Sequence, residues 1–300
     1  MTNKIMLLYY ASHHFATFVT ITSKNEDNIM KLLKTMALTV AMGSYCVTGA
    51  QAAVTQVEGQ AGGGIVPWAL LSAGKPTVSA TWVDTGDYTL SSVALQAGIA
   101  NWVELSYARQ TFDTAAVGLG KIGVDVFGAK VKLLDMADAM PALAVGVQYK
   151  ETDAAEHFLN SVGADNSGTD FYIAATKVIP IGERKLLLNG TVRGTKANQI
   201  GILGFESATE DSYTTQFEAS IGLFLNDKTV IGMEYRTKPD NEIGGMKEDD
   251  WGDLFFAYFP TSNMALVLAY AEFGDIAAEA TPGDFGEDQR GLYLQVQGNF

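Results

Sequence analysis

The chain has 300 residues, of which 47% are hydrophobic and 18% are charged, and its formal net charge is −14. This much apolar surface can form a large core, so the composition excludes an intrinsically disordered protein. The acidic balance argues against a nucleic-acid partner, because nucleic-acid binding requires a basic surface.

The first part of the sequence has the pattern of an export signal. Lys31 and Lys34 form a positively charged start, a short apolar run follows, and residues 50–52 read Ala-Gln-Ala. This combination predicts a secretory signal peptide over residues 30–52 that is cleaved at its end and is too short to span a membrane. Because the signal begins at an internal methionine, we interpret residues 1–29 as an upstream start-site extension. A genuine N-terminal extension is the alternative.

The predicted mature chain begins with residues 53–75, which contain the glycine run 62–64. The run lacks the strand–helix context and the spacing of a nucleotide-binding loop, so we interpret it as a flexible start of the first strand. The segment is compatible with a periplasmic tail, an extra strand or an insert into the interior. The only cysteine, Cys46, is removed with the signal, so an exported chain must be stable without disulfides.

From residue 76 onward, apolar side chains recur at every second position over segments of strand length. This period predicts strands rather than helices, and no mature segment is apolar for the roughly 18 residues that a membrane-spanning helix needs. The pattern predicts about twelve strands, most of about 9–11 residues, the length that a tilted strand needs to cross a bilayer. The predicted strands are 79–83, 90–99, 102–112, 124–134, 141–151, 170–179, 185–196, 215–225, 228–238, 253–260, 264–274 and 291–300.

The two faces of these strands differ in composition. One face carries Leu, Val, Ile and Phe, with aromatic residues near strand ends (Trp102, Tyr149, Tyr235, Tyr258 and Tyr270), and the other mixes small and polar residues with isolated charges. A lipid-facing band with aromatic girdles around a polar interior is typical of a transmembrane β-barrel. We therefore predict an all-β fold, a single antiparallel barrel over 76–300. A secreted or periplasmic β-sandwich is the alternative.

The connections between the predicted strands alternate in length. The short ones are 100–101, 135–140, 180–184, 226–227 and 261–263, and the long ones are 113–123, 152–169, 197–214, 239–252 and 275–289. In outer-membrane barrels the periplasmic turns are short and the external loops are long. The alternation therefore predicts a location in the bacterial outer membrane, with both termini in the periplasm.

The last segment, 291–300, is predicted to close the barrel. Leu292, Leu294, Val296 and Phe300 share one face, and polar residues occupy the other. Because lipid cannot satisfy an open sheet edge, this strand must pair with the first one. An alternating strand that ends on Phe resembles the segment read by the barrel-assembly machinery. The expected partners are that machinery, outer-membrane lipid and lipopolysaccharide.

Eight stretches of the mature chain also carry a resemblance: 62–68 (GGGIVPW), 83–88 (VDTGDY), 103–113 (VELSYARQTFD), 146–150 (GVQYK), 195–199 (TKANQ), 238–241 (KPDN), 247–250 (KEDD) and 287–291 (EDQRG). The chain resembles a family of exported proteobacterial proteins known as a domain of unknown function. The match runs over nearly all of the mature chain. It implies an outer-membrane barrel and adds almost nothing about activity.

Charged residues on the predicted inward faces are the main functional lead. They are Glu104, Lys130, Lys132, Lys150, Arg193, Glu218, Glu234 and Arg236. Such charges can select among small solutes in an open lumen, or acid and base can pair across the lumen and close it. About eight strands leave no bore and about 16 leave an aqueous channel, so twelve strands leave both arrangements open.

Signals for other chemistry are weak. The mature chain has one histidine, His157, which lies beside Glu156 in a predicted loop, so a hydrolase ranks third among the hypotheses. A zinc site would need several Cys or His ligands, and we predict no metal site and no cofactor. The acidic connections 240–250 and 275–288 can bind Ca²⁺ or Mg²⁺ together with lipopolysaccharide phosphates, or can simply be solvated.

The sequence thus favours a narrow passive channel for small polar solutes. The alternative is a closed structural or surface-interaction barrel without transport activity.

Overall fold

The computed structural model describes residues 53–72, 75–114, 120–280 and 285–300. The predicted start-site extension, 1–29, and the predicted signal peptide, 30–52, lie outside the described residues. Two short strands, β1 (Val54–Thr55) and β2 (Ala61–Gly62), pair with each other.

Twelve longer strands form one closed antiparallel barrel, which confirms the predicted fold class and strand number. They are β3 (Thr77–Asp84), β4 (Thr89–Ile99), β5 (Val103–Asp113), β6 (Lys121–Leu134), β7 (Ala142–Thr152), β8 (Ser167–Ile181), β9 (Arg184–Thr195), β10 (Thr214–Asn226), β11 (Thr229–Arg236), β12 (Trp251–Thr261), β13 (Met264–Gly274) and β14 (Gln289–Asn299). Each strand pairs with its sequence neighbours, so the wall is a simple meander.

The barrel closes where β14 pairs with β3, from Tyr293 opposite Val83 to Asn299 opposite Thr77. Of the residues predicted for the closing strand, Leu292 and Leu294 are half-buried, whereas Val296 is buried. Phe300 is exposed, and its backbone N–H donates to the carbonyl of Pro76 at 2.9 Å. Each of the twelve wall strands has two partners, so the wall formed by the described residues has no edge strand.

The outer face of the wall is apolar and the inner face is largely polar. On β10, for example, Phe217 is 61% exposed, whereas its neighbours Gln216 and Glu218 are buried. Leu254 on β12 is likewise 61% exposed beside the buried Asp253. A water-soluble barrel would show the opposite pattern, so the predicted sandwich alternative is wrong.

The two ends of the barrel differ. β3 begins and β14 ends at the end that carries the short turns, such as residues 182–183 between β8 and β9. The opposite end carries the short turn 85–88 between β3 and β4, together with the long connections. One of these contains the helix α1 (Glu156–Val162), and others contain the short 3-10 turns Asn198–Gly201 and Ile243–Gly245. Within the described residues, no helix is long and apolar enough to cross a membrane.

Candidate functional site in the barrel lumen

Residues 53–72, here called the lumen segment, run through the interior of the barrel. All but Leu70 of these residues are buried. They do not extend the wall. They fold on themselves through β1 and β2, with a tight turn in which the N–H of Gly59 donates to the carbonyl of Gln56. The inner face of the wall supplies the surface that covers them.

Side chains from many wall strands satisfy the backbone of this segment. The carbonyl of Val57 accepts from Ser92 Oγ at 2.8 Å and from Gln110 Nε2 at 3.1 Å. Across the barrel, the N–H of Ala69 donates to Thr176 Oγ1 at 2.8 Å. An irregular backbone inside a barrel must have its polar groups paired. The inner face of the wall therefore pairs the backbone polar groups of the lumen segment.

Glu58 lies at the centre of the strongest set of contacts. Its carboxylate pairs with Lys150, with Arg236 Nη1 at 2.5 Å and with Arg193 Nη2 at 3.6 Å. The side chain of Glu58 is completely buried. Burial alone would raise the pKa of this carboxyl, but the positive charges of Arg236, Lys150 and Arg193 outweigh burial and hold the pKa well below its usual range. Glu58 is therefore a buried anion surrounded by three cations.

A second pair of charges holds the segment on another side. Lys130 Nζ lies 3.3 Å from Glu104 Oε1, and both side chains are completely buried. Lys130 also donates to the carbonyl of Ala61 at 2.6 Å, and Glu104 accepts from the N–H of Ala61 at 2.9 Å and of Ser72 at 2.6 Å. These charges contact the lumen segment and each other, and they do not face open water.

A third contact explains the glycine run. The carboxylate of Glu234 accepts from the N–H of Ile65 at 2.9 Å and from Ser220 Oγ at 2.6 Å. A Cβ on Gly63 would overlap this carboxylate, and a Cβ on Gly62 would overlap the carbonyl of Val66. The glycines permit close approach of backbone to wall. Our interpretation of the run as a flexible start of the first strand is wrong.

Loops cover the far end of the lumen. Their apolar residues join one core with inward side chains near the ends of the strands: Ile200, Ile202, Leu203, Ile243, Met246 and Ile276 pack with Leu90, Phe112, Trp251 and Phe273. The backbone N–H of Gln199 donates to both oxygens of Glu248 at 2.9 Å. A cavity of about 10 Å³ lies in this core, room for about one water. We call this region the loop cap.

The loop cap contains a buried ion pair outside the strands. Lys238 Nζ lies 3.6 Å from Glu248 Oε2 and donates to Gln199 Oε1 at 2.6 Å. Burial raises the pKa of Glu248 to about 7 against the opposing charge of Lys238, and burial lowers the pKa of Lys238 to about 8. Both groups therefore titrate near neutral pH.

The pH dependence of stability tests this pair. A carboxyl with a raised pKa stabilises the fold in its protonated form, so the contribution of Glu248 is complete below about 4.5 and is lost as the pH rises through about 7. Lys238 remains charged over this window. The melting temperature of the native protein should fall relative to that of Glu248→Gln between pH 5 and pH 7. Parallel profiles for the two proteins would contradict the burial of Glu248.

Seven of the eight charges predicted to face inward are at most 3% exposed: Glu104, Lys130, Lys150, Arg193, Glu218, Glu234 and Arg236. Lys132 lies at the rim and pairs with the exposed Asp135.

Three acidic residues of the lumen were missed: Glu58, Asp170 and Asp253. Asp170 and Asp253 could have been found only from their inward positions in the alternating pattern of their strands. No pattern in the sequence indicated Glu58. Both carboxylate oxygens of Asp253 are buried without a hydrogen-bond partner in the described part of the chain.

The remaining candidates lie outside the lumen. His157 is exposed on α1, beside Glu156. Among the described residues, no group of three or more His, Cys, Asp or Glu side chains can hold a metal ion.

Fold and lumen together define a closed twelve-stranded β-barrel with an apolar exterior and an occupied interior. Residues 51–297 match the family described as "Protein of unknown function (DUF3034)", and the chain belongs to this family. No curated protein sequence matches the chain.

Several solved structures are similar. The outer membrane protein Omp33 of Acinetobacter baumannii aligns with a TM-score of 0.45 and 11% identity, over 75% of this chain and 98% of Omp33. The KdgM porin aligns with a TM-score of 0.49 and 10% identity, over 75% and 99%. Outer membrane phospholipase A of Escherichia coli aligns with a TM-score of 0.38 and 8% identity, over 75% and 92%.

Proposed function

We propose that the protein spans the bacterial outer membrane with its apolar face against lipid. Aromatic residues at both ends of the barrel support this placement. Near the long connections, the hydroxyl of Tyr213 donates to the carbonyl of Thr169 at 3.0 Å and that of Tyr235 donates to Asp250. At the opposite end, Trp102 lies exposed beside a short turn. Amphipathic rings of this kind favour the boundary between lipid and water.

Within that membrane, the barrel is closed at rest by its own lumen segment and becomes a narrow passage for small polar solutes when the segment moves. The observation that supports this proposal is the position of the Glu58 carboxylate among three cations of the wall. Polar contacts of this kind are reversible, because the wall side chains and the segment can each be hydrated once they separate. A segment held this way acts as a removable plug.

The loop cap favours a second candidate, a permanently closed barrel that acts through its surface. In that case the interior is a structural core, and release of the lumen segment alone leaves the far end covered by Ile200 and its neighbours. The two candidates predict different currents in planar bilayers.

A reversible lock tests the removable plug. Glu58→Gln removes the charge that the wall cations hold, and we expect discrete current steps at least about tenfold more often than in the native protein. The backbone N–H of Ala69 lies 2.8 Å from Thr176 Oγ1, so cysteines at these two positions, added to this variant, are expected to tie the segment to β8. The oxidised protein should be silent, and a reductant should restore the steps.

Each single-cysteine protein is a matched control, and its frequency of current steps should be the same with and without the reductant. Equal step frequencies in the oxidised and reduced double-cysteine proteins would contradict the removable plug. A folded Glu58→Gln protein without current steps would favour the permanently closed barrel.

A further inference from the structure

The carboxylate of Glu58 occupies a site whose other members all belong to the barrel wall. Lys150 on β7, Arg193 on β9 and Arg236 on β11 surround it, and their side chains are at most 4% exposed. Arg236 reaches both oxygens, with Nη1 2.5 Å from Oε2 and Nη2 3.4 Å from Oε1. A two-pronged guanidinium contact suits a planar carboxylate. The wall thus presents the recognition groups, and the lumen segment presents only the ligand.

The wall also holds these cations in place without help from the segment. Asp170 contacts Lys150 at 2.6 Å and Arg193 at 3.1 Å, and Glu218 contacts both arginines, at 2.5 and 3.4 Å. The wall therefore contributes three cations and two carboxylates to this cluster. The excess of one positive charge is neutralised by the carboxylate of the segment.

One hydrogen-bond donor beside this cluster is unused. Gln148 Oε1 accepts from Arg193 Nη1 at 2.6 Å, which fixes the amide against the guanidinium. Gln148 Nε2 is buried and has no hydrogen-bond partner among the described residues. A buried donor without a partner is costly, and a bound anion or water can satisfy it.

We propose that the lumen wall carries a binding site for one small carboxylate. Glu58 fills the site while the lumen segment is in place, and a carboxylate solute fills it when the segment is displaced. The second half of this statement rests on the proposed removable plug, whereas the first half does not. A solute with a carboxylate group would compete with Glu58 and would be favoured over neutral and cationic solutes.

Chemical rescue tests the site directly. Glu58→Ala removes the carboxylate and leaves the wall cations with one uncompensated charge. We expect this full-length variant, refolded in detergent with sodium acetate, to melt about 3 °C higher than the same variant refolded in sodium chloride of equal ionic strength. The rise should saturate with acetate concentration. Acetate is present during refolding, so access does not depend on later opening.

Two proteins serve as controls, and neither should gain from acetate over chloride. They are the native protein, in which Glu58 fills the site, and Glu234→Ala, which removes a lumen carboxylate that has no ion pair among the described residues. Sodium phosphate in a parallel series separates a carboxylate site from a general anion site. An equal effect of phosphate or chloride would overturn the proposed carboxylate site.

If Glu58→Ala does not fold in chloride, the refolded fraction replaces the melting temperature as the readout. Recovery of folded barrel by acetate but not by chloride supports the site, and equal recovery overturns it. Because this experiment measures no current, its result is independent of the plug. Acetate rescue with a silent barrel would retain the site and reject the passage.

Discussion

Replacement of Arg193 by methionine is expected to lower the free energy of unfolding by about 3–5 kcal/mol. Arg193 contacts three carboxylates, those of Glu58, Asp170 and Glu218. Its removal leaves these groups, all completely buried, with only Lys150 and Arg236 as counter-charges. Unfolding by guanidinium chloride in detergent, followed by tryptophan fluorescence, measures the loss.

Lys132→Met is the matched control for this prediction. Both positions were predicted from sequence to face inward, but the side chain of Lys132 is 18% exposed and its partner Asp135 is 76% exposed. An exposed ion pair contributes about 0–1 kcal/mol, so the control should lose little. Similar losses in the two variants would mean that the three-carboxylate cluster around Arg193 is not formed.

Gly62→Ala is expected to raise the open probability in planar bilayers by about 10- to 100-fold. A Cβ at this position would overlap the carbonyl of Val66 and lie 2.9 Å from the Cα of Pro67, both in backbone that cannot rotate away. Overpacking of this kind costs about 1–3 kcal/mol, and each 1.4 kcal/mol changes an equilibrium about tenfold. The strain falls on the lumen segment alone, so the wall should stay folded.

The matched control is Gly190→Ala on β9. A Cβ there meets no atom within 4 Å, and the residue lies on the exposed outer face. Its open probability should equal that of the native protein. An unchanged open probability in Gly62→Ala, with the barrel folded, would contradict the removable plug and favour the permanently closed barrel.

The wall was predictable because its physical constraint is local. A strand such as β5 (Val103–Asp113) needs apolar side chains outward and small or polar ones inward, so its sequence alternates, and the predicted bounds 102–112 differ by one residue at each end. The alternation of short and long connections follows from the same meander. Closure followed from the requirement that no sheet edge stays unpaired.

The lumen segment was not predictable in this way. Its backbone is held by wall side chains that are distant in sequence: Glu58 contacts Lys150, 92 residues away, and Arg236, 178 residues away. The two-residue hydrophobic period of the sequence carries no information about contacts between residues so far apart. The leading hypothesis of an open channel treated Lys130 and Glu104 as groups that face water, whereas in the structure they contact the backbone of Ala61.

The loop cap was not predictable from the sequence for a related reason. Gln199 and Ile200 have positive φ values of 44° and 59°. A β-branched residue such as Ile200 rarely adopts this left-handed conformation. The surrounding contacts hold it, including the bonds from Gln199 to Glu248. The sequence carries no local signal for this strained backbone, because tertiary contacts determine it.

Hydrogen exchange of the native protein in detergent tests the occupied lumen most directly, since it needs no substitution. The backbone N–H groups of Ala61, Ile65 and Ala69 donate to wall side chains, so peptides from 53–72 should exchange as slowly as the barrel strands. The turn at 100–102 should exchange fast and serves as the internal standard. Exchange of 53–72 as fast as that turn would show that the segment lies outside the barrel, and the proposed plug and the role of Glu58 as the resident carboxylate would both be wrong.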